Sequence, residues 1–284
     1  MRFASFEQDG RARYGLVDAA GRYRPAPAGF QQRFPDLKSV IAAGELAALE
    51  QAALAGGEAL EAAQLRLLPV IPNPGKIICV GLNYKTHVAE TQRGDSEHPS
   101  LFIRFADSLA AHGDTVLRPA FSERFDWEGE LAFVVGQAGR HIPEAQAFEH
   151  IAGYCCFNDI SVRDWQRHTH QFTPGKNFPG TGPLGPLLVT RDEVPDVSRL
   201  TLETRLNGQV VQHASVADLI FPIPVIVAYI SRFTPLSPGD VIATGTPGGV
   251  GDRREPPLYM KDGDVVEVEI TGLGVLRNQI ATAA

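Results

Sequence analysis

Residues 125–135, Phe-Asp-Trp-Glu-Gly-Glu-Leu-Ala-Phe-Val-Val, constrain this chain more than any other stretch. In an extended strand alternate side chains share a face, so Asp126, Glu128 and Glu130 are predicted to point the same way. Three carboxylates side by side repel one another and need water, a cationic partner or a metal ion. The five residues that follow, 131–135, are all apolar and read as a buried strand. Acids at the edge of a core strand are poorly placed to serve solubility, which favours a divalent-metal site. The competing reading is a solvated strand face, on which acids also alternate.

The 284 residues, 44% of them hydrophobic, suffice for one large domain or for a main domain with a smaller one. Twenty-eight glycines and 21 prolines predict many turns and a β-rich body. A net charge of -7 argues against a nucleic-acid partner. No apolar run is long enough for a membrane span, and the first residues lack the apolar core of a secretory leader. Cys79, Cys155 and Cys156 are too few for a disulfide framework, so a reducing, cytoplasmic setting is the simplest expectation.

Residues 1–70 differ from the rest and are expected to form a small α/β N-terminal domain, with two short strands near 2–6 and 14–18 and Ala/Leu/Glu-rich helices over 36–43 and 45–54. Pro69, Pro72 and Pro74 end it. Residues 71–284 alternate short apolar strands with turns. Asn207-Gly208 between two strand-like runs predicts a hairpin, and residues 221–233 predict a helix with Pro222 and Pro224 in its first turn. The expected class is mostly β with some α (α+β), a barrel or roll.

Several residues are candidates for chemistry. Asp159 ends a second apolar strand, as the acids of 126–130 begin theirs. Glu128, Glu130 and Asp159 together would suit Mg²⁺ or Mn²⁺, although Asp159 reads equally well as a cap of the following turn. Asp126 and Asp164 are rival acids. His87 and Glu90 are three apart. On a helix they share a face, where the carboxylate can orient the imidazole as a general base; an inconsequential exposed pair is the plainer reading. Lys176 lies in a Gly/Pro-bounded loop and could meet an anionic substrate. The loop Gly245-Thr246-Pro247-Gly248-Gly249-Val250-Gly251 looks like an anion cradle but lacks the lysine of a nucleotide-binding loop. His168 and His170 read as polar loop residues.

Five ordered motifs resemble the fumarylacetoacetate hydrolase family over residues 76–280. They are Val80-Gly81-Leu82-Asn83-Tyr84-Lys85-Thr86-His87-Val88-Ala89-Glu90; Asp126-Trp127-Glu128-Gly129-Glu130-Leu131; Gly153-Tyr154 with Asn158-Asp159-Ile160-Ser161-Val162-Arg163-Asp164; Gly175-Lys176-Asn177-Phe178 with Gly182-Pro183-Leu184-Gly185-Pro186; and Pro238-Gly239-Asp240-Val241-Ile242-Ala243-Thr244-Gly245-Thr246-Pro247. The resemblance implies a rolled mixed β-sheet or barrel core around a metal, usually in a homodimer. It places Glu128, Glu130 and Asp159 as the Mg²⁺ or Mn²⁺ ligands and His87 with Glu90 on a lid. Lys176 and Thr246 fall at substrate-contacting positions. Arg104 stands where a Lys-Pro pair is usual, on the approach to the pocket, and is expected to bear on the substrate's outer end. Trp127 replaces a more common tyrosine.

The resemblance also implies a small-molecule substrate, a 2-oxo or 2,4-dioxo acid of acylpyruvate type, and a metal-dependent hydrolase of carbon–carbon bonds. His87 would activate water for attack on the 4-carbonyl, and the leaving enolate would be stabilised by the cation and Lys176. The alternatives on the same site are a 2-oxoacid decarboxylase and a 2-hydroxy-diene-dioate isomerase. Residues 91–100 and the surroundings of Arg104 are expected to set the choice.

Overall fold

A computed structural model of the protein describes residues 1–91 and 96–283. Two mixed sheets carry the fold. The larger has eleven strands, and its path runs from Tyr23–Pro25 through Arg11–Val17, Arg2–Gln8, Gly182–Thr190, Ile151–Asn158, Gly129–Val135, Val241–Ala243 and Ile77–Gly81 to Ser100–Arg104. The smaller has five, in the order Gln209–Ser215, Thr201–Leu206, Val265–Ile270, Gly274–Thr282 and Thr115–Arg118. Val241–Ala243 runs parallel to Ile77–Gly81, and Gly274–Thr282 parallel to Thr115–Arg118. Neither path closes on itself, so of the two expected architectures the chain forms a roll and not a closed barrel.

The Gly129–Val135 strand shows why its apolar run is uninterrupted. Leu131, Phe133 and Val135 enter one core cluster, with Ile226 and Ile230 of the Ile223–Phe233 helix and Val268 and Ile270 of the smaller sheet. Ala132 and Val134 enter another, with Phe3, Leu16, Leu37, Val40 and Leu49. Both faces are covered, so every residue of the strand is buried and no polar alternation is needed. The N-terminal segment supplies that second cover. Its first strand pairs antiparallel with Gly182–Thr190, and residues 1–70 continue the main sheet directly.

The Leu37–Ala43 helix starts on an Asp36–Ser39 capping box and stops at Gly44 in the left-handed region, at φ 71°. The Ile223–Phe233 helix buries Ile223, Ile226, Val227 and Ile230, one stripe at helical spacing. Asn207 and Gly208, both at positive φ, close the predicted two-residue hairpin. The Gly274–Thr282 and Thr115–Arg118 strands are additions to the sequence reading. Among the described residues no helix is long and apolar enough to cross a membrane.

Candidate active site

The site lies where two central strands leave their ladder. Gly129–Val135 and Ile151–Asn158 pair antiparallel, with Gly129 opposite Asn158. Beyond that pair the chains diverge at Trp127-Glu128 and Asp159-Ile160, then meet again where Asp126 pairs with Ser161. The gap is held by the Asp159 N–H, which donates to the Glu128 carbonyl at 2.8 Å, and by the Glu128 N–H, which donates to the Asn158 side-chain oxygen at 3.0 Å. Glu128, Glu130 and Asp159, all buried, each bring one carboxylate oxygen to within 4.8 Å of the others.

The break changes the expected strand face. Asp126 stays outside the trio and accepts hydrogen bonds from Gly251 N–H at 2.8 Å, Asp252 N–H at 3.0 Å and Arg163 Nε at 2.8 Å. It therefore anchors the glycine-rich loop, the supporting role of a rival acid. Asp164 also lies apart, accepting from the Ser122 hydroxyl at 2.8 Å.

Lys176 Nζ donates to the Glu128 carboxylate at 2.7 Å, the Asp159 carboxylate at 2.6 Å and the Asp159 carbonyl at 2.9 Å. Arg163 Nη1 lies 2.6 Å from Glu128. Burial acts to raise the Glu128 carboxyl, but Lys176 and Arg163, with His87, hold it down at about 2. Glu130 has the opposite balance. Burial first, then the Asp159 and Glu128 carboxylates, push it well above its ordinary value, and Lys176 and the Gly245 N–H, 2.9 Å away, offset only part of this. The trio is thus short of positive charge at Glu130. An all-carboxylate, buried, convergent donor set of this kind fits a hard divalent cation such as Mg²⁺ or Mn²⁺.

His87 sits buried on the short Lys85–Thr91 helix, in the wall of the cavity that Glu128 and Glu130 also line. Its Nδ1 is 2.6 Å from Glu90 Oε1. A carboxylate only accepts, so Nδ1 carries the proton and Nε2 is left as the acceptor. The other Glu90 oxygen accepts from Gly249 N–H at 2.8 Å, and the Thr86 hydroxyl accepts from Gly248 N–H at 3.1 Å. The helix is fastened to the glycine-rich loop by both bonds. Thr246 lines the same cavity, its hydroxyl donating to Gly129 carbonyl at 3.0 Å and accepting from Gln212 at 2.8 Å.

Arg104 does not fulfil its expectation. Ser100, Leu101 and Phe102 line the cavity, but the Arg104 side chain is buried behind it. Nε reaches Asp159 at 2.5 Å, and Nη2 donates to the Ile160 and Thr181 carbonyls at 2.6 and 3.2 Å. A buried guanidinium needs such compensation, and its donors are spent on Asp159 and on backbone carbonyls instead of a ligand. Arg163 and Gln166 are cavity-lining residues that sequence reading passes over; a turn-forming stretch hides them, and only the spacing of Arg163 four residues past Asp159 hints at a shared site. His168 and His170 belong to no metal-ligating group among the described residues. The expected lid falls partly on residues 92–95, which lie outside the described residues.

The cavity encloses about 660 Å³. Residues 76–281, which carry all of these groups, match the family model described as fumarylacetoacetate (FAA) hydrolase C-terminal.

The chain belongs to the fumarylacetoacetate hydrolase family.

Relatives within the fumarylacetoacetate hydrolase family differ in their named activities. The chain is 42% identical over 223 residues, 78% of its length and 70% of the other's, to oxaloacetate tautomerase fahd2, mitochondrial, of Xenopus laevis. The solved fumarylacetoacetate hydrolase of Exiguobacterium antarcticum superposes with a TM-score of 0.88 at 37% identity, covering both chains completely. A maleylpyruvate hydrolase from Sphingobium sp. SYK-6, solved with manganese(II) and pyruvate, superposes with a TM-score of 0.82 at 27% identity, again over both chains in full.

Proposed function

We propose that this family member is a divalent-cation-dependent enzyme that moves a proton on a small 2-oxo acid, interconverting the enol and keto forms of an oxaloacetate-type dicarboxylic acid. The observation that carries the reading is the fixed imidazole: His87 lines a cavity with Glu128 and Glu130 of the carboxylate trio, and Glu90 holds its Nδ1 at 2.6 Å, which leaves Nε2 as the acceptor. The 42% identity to an oxaloacetate tautomerase supports the choice of reaction.

Glu128, Glu130 and Asp159 are the residues that would hold the cation, as Mg²⁺ or Mn²⁺. When bound, the cation supplies electrostatic stabilisation for negative charge on the substrate's oxygens. Lys176 and Arg163 keep Glu128 ionised and in place. Arg104 does the same positional work for Asp159 from behind. Thr246 lines the cavity on the side of the glycine-rich loop, where the substrate's carboxylate would lie. In ketonisation the enol O–H bond breaks and a C–H bond forms at C3. His87 Nε2 accepts the proton released from oxygen, becoming doubly protonated, and Glu90 stabilises that imidazolium. His87 Nε2 then delivers that proton to C3, which returns the ring to its neutral form and balances the step.

A second reading keeps the same residues. His87 would take a proton from water, the oxygen would bond to C4 of a 2,4-dioxo acid, and the C3–C4 bond would break with its electron pair left on C3 for protonation. The likeness to the Exiguobacterium antarcticum hydrolase over the whole chain favours it.

Purified protein with Mg²⁺ or Mn²⁺ should be given enol oxaloacetate, followed by its ultraviolet absorbance, and an acylpyruvate. Acceleration of ketonisation is expected, with loss after EDTA and in His87→Ala. Turnover of the acylpyruvate alone would select the second reading, and acceleration of neither reaction would sink both.

A further inference from the structure

Past the carboxylate trio the cavity has room beyond a 2-oxo acid headgroup, since about 660 Å³ compares with the roughly 30 Å³ that one water occupies in the liquid. The outer wall carries Arg167, Thr169, His170 and Arg253. Arg167 is committed, because its guanidinium is bonded to Asp252, which also accepts the Tyr259 hydroxyl at 2.9 Å. Arg253 is not. Among the described residues its side chain makes no hydrogen bond, and its one ionic neighbour is Asp252, 3.6 Å from Nε. Both terminal nitrogens are left to meet a ligand.

The backbone that carries Arg253 is nonetheless tied to the trio. The Asp252 N–H is bonded to Asp126 at 3.0 Å, Asp126 holds Arg163 at 2.8 Å, and Arg163 reaches Glu128 at 2.6 Å. Arg163, Arg167, Lys176 and Arg253 of the cavity wall are matched by Glu128, Glu130 and Asp252 of the wall and by Asp159, which Lys176 also holds. A bound divalent cation would leave two positive charges in excess. A monoanion would match half of them and a dianion both.

We infer that Arg253 is a specificity-determining residue that receives a second carboxylate of the substrate, so that a 2-oxo dicarboxylic acid spans the cavity from the trio to Arg253. The inference rests on the 2-oxo acid reading of the site. A guanidinium with free terminal nitrogens suits a carboxylate, which it can bind through two parallel hydrogen bonds.

The test is calorimetric binding to the Mg²⁺-supplemented full chain of 2-oxoglutarate and of 2-oxopentanoate, which has the same number of carbons and one carboxylate fewer. Wild type is expected to prefer the dicarboxylate about tenfold, as a charge-assisted pair at a half-exposed site allows. Arg253→Gln should bring the preference close to one, and Arg253→Lys should keep part of it by retaining the charge without the fork. An equal preference in wild type and Arg253→Gln would overturn the subsite while leaving the 2-oxo acid reading intact. Failure of wild type to bind either acid would overturn both. A melting temperature of Arg253→Gln within a degree or so of wild type confirms that the comparison is between folded proteins.

Discussion

Glu90→Gln separates a working imidazole from a merely buried one. Glu90 accepts twice, from His87 Nδ1 at 2.6 Å and from Gly249 N–H at 2.8 Å. Glutamine has nearly the same shape but only one acceptor oxygen, so one contact must change sign. If the amide oxygen keeps Gly249, the NH₂ faces Nδ1, the ring proton moves to Nε2, and the nitrogen facing the cavity can no longer accept. That removes a general base worth about 10²–10⁴-fold. If the amide oxygen keeps His87, two donors face each other at Gly249, costing about 1–3 kcal/mol and loosening the helix from the loop. The first arrangement silences the base and spares the fold. We expect kcat to fall at least about a hundredfold with KM changed only a few-fold, the pattern of an interaction made in the transition state. Steady-state kinetics on enol oxaloacetate measures the fall, and nitrogen NMR of the His87 ring reads the tautomer. A kcat within about threefold of wild type, with the proton moved to Nε2, would refute the assignment of Nε2 as the working nitrogen.

Two further outcomes follow from the electrostatics and packing of the site. Without cation, folded Glu130 keeps a proton that the unfolded chain has released, so fold stability falls as pH rises from the ordinary glutamate value of 4.5 toward the raised one. A cation bound through ionised Glu130 opposes this, so the gain in melting temperature on adding Mg²⁺ should grow with pH across that window and flatten in Glu130→Gln; thermal melts in a pH series that show a constant gain would contradict it. Gly251→Ala would set a Cβ 1.8 Å from the Leu258 carbonyl oxygen and 2.7 Å from Asp126 Oδ1. Overpacking of this kind costs about 1–3 kcal/mol, and a thermal melt unchanged from wild type would show that the loop has slack the geometry denies.

What the sequence reveals of the site follows from how local each cue is. Glu128 and Glu130 are legible because alternation and an apolar continuation are properties of neighbouring residues, and Asp159 stands in the same relation to its own strand. Their meeting is not local. It depends on the break at Trp127-Glu128 facing the break at Asp159-Ile160, and the same break removes Asp126 from a face it was expected to share. His87 and Glu90 interact at their predicted spacing, but the Glu90 bond to Gly249 spans 159 residues and has no sequence signature. Arg104 misleads because a cationic residue near a pocket reads as a ligand contact until burial shows what it must neutralise. Arg253 hides in Asp252-Arg253-Arg254-Glu255, which reads as solvated turn. In the fold, the N-terminal strands and helices are foreseeable, but their attachment to Gly182–Thr190, which covers the second face of the central strand, is not.

The two carboxylate-bearing segments are stitched together on either side of their gap, by Gly129 with Asn158 and by Asp126 with Ser161. None of those stitches involves the residues of the cavity's outer wall. The outer wall comes from other places: Ser100 to Phe102, Arg167, Thr169 to Phe172, and Arg253. Substitutions there can change which molecule enters without disturbing the angle at which the carboxylates converge. A chain built this way can inherit its chemistry and revise its clientele separately, which is one physical route by which close relatives come to carry different activities on a shared floor.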